Sequence, residues 1–164
     1  AALRYFNAAG ASPDGEIGEE HDPETHMIPN AIAAAAGRGP KLKIFGSDYP
    51  TQDGTAVRDY VHVSDLADAH IAALQRLMAG RESFVCNLGT GEGASVRQVI
   101  ETIERIAGRP VPHDLAPRRE GDAVRLVADS TAARDLLGWT PRYSDLETIV
   151  AHAWRFHAAR WGLA

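Results

Sequence analysis

The chain has 164 residues, 45% hydrophobic and 24% charged, ordinary globular values that exclude wholesale disorder and suit one domain with a single sizeable core. Seventeen Lys and Arg against 22 Asp and Glu give a net charge of −5, which argues against a general nucleic-acid binder. No apolar run approaches the roughly 20 residues that span a bilayer, and no signal peptide is expected. The single cysteine allows no internal disulfide and fits a reducing cytoplasm.

In chain order, Leu3 to Asn7 reads as a short strand that begins almost at the first residue, so the sequence is expected to be cut from a longer one. Residues 11–24, with Pro13, Gly15, Gly18 and Pro23 among acids, read as a loop. A helix is expected from about Glu24 to Ala36, with Pro29 ending, kinking or restarting it. Leu42–Phe45 is a strand, Gly46–Thr55 a polar loop, and Val57–Val63 another extended stretch. Ser64 is placed to cap a helix whose apolar stripe is Leu66, Ala69, Ala73 and Leu77. Phe84–Leu88 is an apolar strand. Ser95 with Gln98, and Ser144 with Glu147, read as capping boxes of two later helices, the second running from Leu146 to Trp161. Residues 111–115 and 124–128 are short strands. Strands alternating with helices give an α/β or α+β class.

Four features bear on function. Gly89-Thr-Gly91-Glu-Gly93-Ala94 follows a strand, precedes a capped helix and fits a dinucleotide fingerprint, with Asp114 about 20 residues on. One strand cannot make that fold, so a tight strand-to-helix turn is the better reading. Arg118-Arg119-Glu120-Gly121-Asp122 offers two guanidinium groups before a turn, suited to a diphosphate through bidentate contacts; a solvated loop with an ion pair is the plain alternative. Arg58-Asp59-Tyr60 divides in the same way between a phosphate clamp and a packed ion pair. The histidine pairs 62/70 and 152/157 have poor metal spacing, and Cys86 within an apolar strand reads as an inert thiol. No metal site is expected.

The order of several motifs then points to a family. Arg4-Tyr5-Phe6-Asn7, Glu24-Thr25-His26-Met27-Ile28-Pro29, Ile44-Phe45-Gly46 and Asp48-Tyr49-Pro50-Thr51 come first. Asp53-Gly54-Thr55, Val57-Arg58-Asp59-Tyr60-Val61-His62-Val63 and Asp65-Leu66-Ala67 follow. Asn87-Leu88-Gly89-Thr90-Gly91 and Pro117-Arg118-Arg119-Glu120-Gly121-Asp122 complete the series. This resembles the UDP-glucose 4-epimerases, extended short-chain dehydrogenase/reductases, over nearly the whole chain but only their C-terminal half.

The resemblance implies an α/β fold in which residues 1–164 are one UDP-sugar-binding unit and strands near 3–7 and 84–88 extend a Rossmann sheet lying elsewhere. It implies interconversion of UDP-glucose and UDP-galactose through a 4-keto sugar and bound NAD, in a homodimeric cytoplasmic enzyme without nucleic-acid or membrane partners. By position, Arg58 and Arg119 would clamp the diphosphate and Asp122 would hold ribose. Lys43, Ile44 and Phe45 would meet uracil, with Tyr60 near and Val96 on the nucleotide wall. Asn7, His26 and Met27 would touch the diphosphate and sugar, Leu126 would gate sugar size, and Tyr5 and Phe6 would lie on the nicotinamide side. No catalytic residue is expected here: the fourth residue after Tyr5, Tyr49, Tyr60 and Tyr143 is Ala9, Asp53, Ser64 and Glu147, so no Tyr-x-x-x-Lys pair exists. Another UDP-sugar (pentose, uronate or N-acetylhexosamine), or a non-catalytic nucleotide-sugar module, is the alternative.

Overall fold

A computed structural model describes residues 1–163. The expected first strand divides in two, β1 (Ala2–Arg4) and β2 (Asn7–Ala9), and Tyr5 and Phe6 make the bend between them. Each half finds its own parallel partner: β1 pairs with β6 (Val85–Asn87), and β2 with β5 (Tyr60–His62). The stretch at 57–63 also divides, into β4 (Val57–Arg58) and β5, because the buried Asp59 carboxylate turns inward between them. Two other small sheets form. β3 (Leu42–Phe45) runs parallel to β8 (His113–Ala116), while β4 lies between antiparallel β7 (Ala94–Ser95) and parallel β9 (Arg125–Leu126).

The helices are α1 (Met27–Ala35), α2 (Val63–Met78), α3 (Val96–Ala107), α4 (Thr131–Leu137) and α5 (Leu146–Trp161). Pro29 neither ends nor kinks α1, since it falls in the first turn, where a missing N–H is not required. The α3 capping box has both reciprocal bonds. Two caps differ from expectation. His62, not Ser64, caps α2, its Nδ1 accepting from the Ser64 N–H at 3.0 Å. Asp145, not Ser144, caps α5, accepting from the Thr148 N–H; Ser144 is instead buried and donates to Asp65 Oδ2 at 2.6 Å. The short helix α4 has no apolar stripe of its own long enough to read from sequence and forms by packing Ala133 into the core.

Two apolar clusters result. One joins α1, α3, α5 and β3 through Ile28, Ile32, Ile44, Val99, Ile103, Ile149 and Val150. The other gathers Val61, Leu66, Cys86, Leu88, Ala133 and Trp139 between α2, α4, β5 and β6. Neighbouring residues Tyr60 and Val61 belong to different clusters because successive strand residues face opposite sides. Among the described residues no helix is long and apolar enough to cross a membrane.

Candidate functional site

Three strand pairings build one cavity. The β2–β5 register sets Asn7 beside Tyr60. The β3–β8 register sets Phe45 beside Ala116, so the chain leaving β8 carries Arg119 back over the Phe45 ring, its guanidinium 3.8 Å from the centroid. The β4–β9 register sets Arg58 beside Leu126, and the turn before β9 brings Asp122 into an ion pair with Arg58. The resulting cavity of about 670 Å³ is lined by Asn7, His26, Met27, Lys43, Phe45 and Tyr60, and by Arg58, Val96, Arg119 and Asp122.

The remaining sequence candidates lie elsewhere. Ile44 turns its side chain into the core between Lys43 and Phe45, as strand alternation requires, and leaves only backbone toward a ligand. Leu126 is exposed on β9, and Tyr5 and Phe6 are exposed at the bend between β1 and β2; none of the three lines the cavity. Sequence reasoning did not single out Glu19 and Glu24, which do line it. Glu24 opens the 24–29 motif, whereas Glu19 lies in the acidic 11–24 stretch that reads only as a loop.

The polar groups are held in defined states. Asn7 donates from Nδ2 to the Asp59 carbonyl oxygen at 2.9 Å, and Arg58 donates to the Val57 carbonyl at 2.7 Å. Arg58 is largely buried, with its guanidinium shared between that carbonyl and Asp122. Tyr60 donates to Met27 Sδ at 3.2 Å, and burial pushes its phenol up to about 12, against the pull of Arg58. Tyr60 thus lines the cavity as a buried phenol tied to Met27. Arg118 and Arg119 separate in role. Arg118 donates from Nε to Asp48 Oδ1 at 2.7 Å and covers the Tyr49 ring, tying down the 46–55 loop, while Arg119 alone reaches the cavity.

The glycine turn is filled from within. Asp59 accepts from the N–H groups of Thr90, Gly91 and Ala128 and from the Thr90 hydroxyl, at 2.8 to 3.2 Å. A Cβ at Gly89 would lie 2.5 Å from Asp59 Oδ2 and from Ala128 Cβ, so glycine is required for close packing. The N–H groups that would cradle a pyrophosphate already hold a carboxylate, and the described residues make no dinucleotide cradle here. The histidines pair differently from the spacing argument: His62 Nε2 meets His152 Nδ1 at 3.0 Å across elements, not His70. Burial lowers the His62 pKa and raises that of the Cys86 thiol.

With this geometry in place, the sequence profile of the NAD dependent epimerase/dehydratase family matches residues 1–89. The chain belongs to that family. It is 56% identical to the UDP-glucose 4-epimerase of Rhizobium leguminosarum bv. trifolii over 95% of its own length and 47% of that enzyme. The crystal structure of UDP-glucose 4-epimerase from Brucella ovis in complex with NAD superposes with a TM-score of 0.91 at 51% identity, over 94% of this chain and 48% of that one. The Bifidobacterium longum enzyme in complex with NAD+ and UDP gives 0.89 at 36% identity, over 99% of this chain and 48% of the other. The chain spans about half the length of the curated relatives it matches.

Proposed function

We propose that this chain is the UDP-sugar-binding half of a UDP-glucose 4-epimerase, a soluble cytoplasmic enzyme that works as a homodimer and interconverts UDP-glucose and UDP-galactose. The observation that carries this reading is the single cavity in which Arg58 and Arg119 converge with Phe45, Asn7 and Asp122. Two guanidinium groups can grip a diphosphate through charge-assisted, bidentate hydrogen bonds. The Arg58–Asp122 pair keeps one of them oriented, and Asp122 retains acceptor capacity for a ribose hydroxyl. Phe45 and the strand backbone from Lys43 offer a flat apolar face and hydrogen-bonding edges to a pyrimidine. Asn7, His26 and Met27 form the sugar end.

NAD, as bound by the relatives, would supply hydride exchange at the sugar ring. The described residues provide no cradle for it, so its main site is assigned to a preceding half, whose Rossmann sheet β1 and β6 would extend. Every role proposed for this chain is therefore binding and orientation. With no Tyr-x-x-x-Lys pair in its sequence, the chain alone is expected not to epimerise.

The test is calorimetric titration with UDP and UMP. A diphosphate clamp predicts UDP to bind more tightly by at least about tenfold, one charge-assisted contact's worth. Equal affinities would remove the clamp and the reading with it. Relative rates of the full-length enzyme on UDP-galactose and UDP-arabinose decide the sugar.

A further inference from the structure

The loop before α1 carries a cluster of which the nucleotide-sugar reading uses only His26. Glu19 and His21, two residues apart in this loop, bring their side chains together. His26 returns to meet them from the N-cap position of α1, where its ring makes no capping hydrogen bond. Glu19 Oε1 lies 2.7 Å from His26 Nδ1 and 3.1 Å from His21 Nε2, and the three donor atoms fall within 4.8 Å of one another. A second carboxylate, Glu24 Oε1, stands 2.9 Å from the same His26 Nδ1. Its position is fixed by the N–H groups of Thr25 and His26, each 2.7 Å away.

This arrangement is under-supplied with positive charge. One imidazole N–H at Nδ1 faces two carboxylates and can satisfy only one well. Among the described residues, the ion-pair partners of Glu19 and Glu24 are histidines alone, while neighbouring Glu20 takes Arg160. Once the Nδ1 proton is released to solvent on binding, neutral imidazoles and carboxylates at this separation are a donor set for a divalent transition ion, and the nitrogen donors favour zinc over magnesium or calcium.

We propose that Glu19, His21 and His26 form a zinc-type metal site at the rim of the cavity, with Glu24 as the adjacent carboxylate. Three protein ligands leave a fourth position open. Glu19 and His26 also line the cavity, so an ion here pins the 11–24 loop to the start of α1 at the cavity edge. This reading differs from the sequence expectation of no metal, which compared only histidines at helical or strand spacing and not a loop folded back on a helix start.

The proposal shares His26 with the sugar end of the proposed UDP-sugar site and is tested with metal alone, so that its failure and the failure of the UDP assignment are read separately. The untagged, chelator-treated chain is titrated calorimetrically with Zn2+ and, separately, with Co2+ followed by visible absorption. The expected result is one saturable equivalent and a low-coordinate Co2+ spectrum. His21→Ala and Glu19→Gln should each weaken Zn2+ by at least about tenfold, since even loss of a ligand's hydrogen-bond partner costs about 10–100-fold, and both should abolish the Co2+ bands. His152→Ala, at the other close histidine pair, should leave binding unchanged. Circular dichroism checks that each variant is folded, and a Zn2+-dependent rise in Tm present in the parent chain but absent from His21→Ala gives a second readout. No binding by the parent chain, undiminished binding by folded His21→Ala, or loss confined to His152→Ala would each overturn the proposal.

Discussion

Two turns in this molecule carry phosphate-like signatures, and they end in opposite states. The glycine turn, Gly89 to Gly93, has the backbone freedom and the helix start that an anion would use, yet its N–H groups close on the molecule's own Asp59. The arginine turn, Arg118 to Asp122, has no helix behind it and leaves Arg119 facing a cavity with Arg58 across from it. The difference lies in where the compensating carboxylate sits. Asp59 is buried at 1% exposure and fully engaged in structure. Asp122 is on the cavity wall and pairs with only part of the arginine's donor capacity. An anion site is thus marked by unspent donors, not by the motif that supplies them.

The largest test of that contrast is Asp59→Ala. It would strand the buried N–H groups of Thr90, Gly91 and Ala128, which lose hydrogen bonds to a charged acceptor. A loss of about 3–4 kcal/mol in urea unfolding is expected. A loss below about 1 kcal/mol would show that the turn is held by other contacts. Next is Arg119→Ala, which should weaken UDP by about 1.5–3 kcal/mol, the scale of hydrogen bonds to charged groups, with little change in the melt. Unchanged UDP affinity by calorimetry would put the diphosphate elsewhere.

Arg118→Ala sharpens the comparison within one dipeptide. Its exposed pair with Asp48 and its stacking on Tyr49 predict about 0.5–1 kcal/mol of stability and a much smaller effect on UDP than its neighbour. Equal effects of the two substitutions on UDP would dissolve the division of roles. The smallest effect is a pH dependence at Asp53, which links the 46–55 loop to Ser95 at the start of α3. Burial alone would raise its pKa, but hydrogen bonds from Ser95 and Thr55 outweigh this and hold the carboxyl below its ordinary 3.8. A depressed folded-state pKa contributes stability above the unfolded value and loses it as pH falls through the folded one. Melts of the parent chain should therefore drop below about pH 4 more steeply than those of Asp53→Asn, and parallel curves would remove the Asp53 contribution.

Local signals were read correctly where they were local. The Ser95–Gln98 capping box needs residues three apart, and it forms as written. The expected strand at Leu42–Phe45 and the helix at Leu146–Trp161 also appear with those bounds. Cap identities failed at Ser64 and Ser144: His62, two residues earlier, takes the start of α2, and the distant Asp65 draws Ser144 inward while the adjacent Asp145 caps α5. Neither Ser64 nor Ser144 announces that loss in its own neighbourhood.

By itself the sequence determined an alternating α/β chain with capped helices, and through its ordered motifs it named the residues to examine. Tertiary structure decided which of those residues meet. Arg58 and Asp122 are brought together by the β4–β9 pairing, and Phe45 and Arg119 by the β3–β8 register. It also decided that Ile44 is buried in the core and Leu126 lies outside the cavity lining, and that Asp59 occupies the glycine turn. The physical reason is that periodicity and capping are encoded within a few residues, whereas strand register and the partner of a buried charge depend on segments tens of residues apart. Those are fixed only when the chain closes on its core.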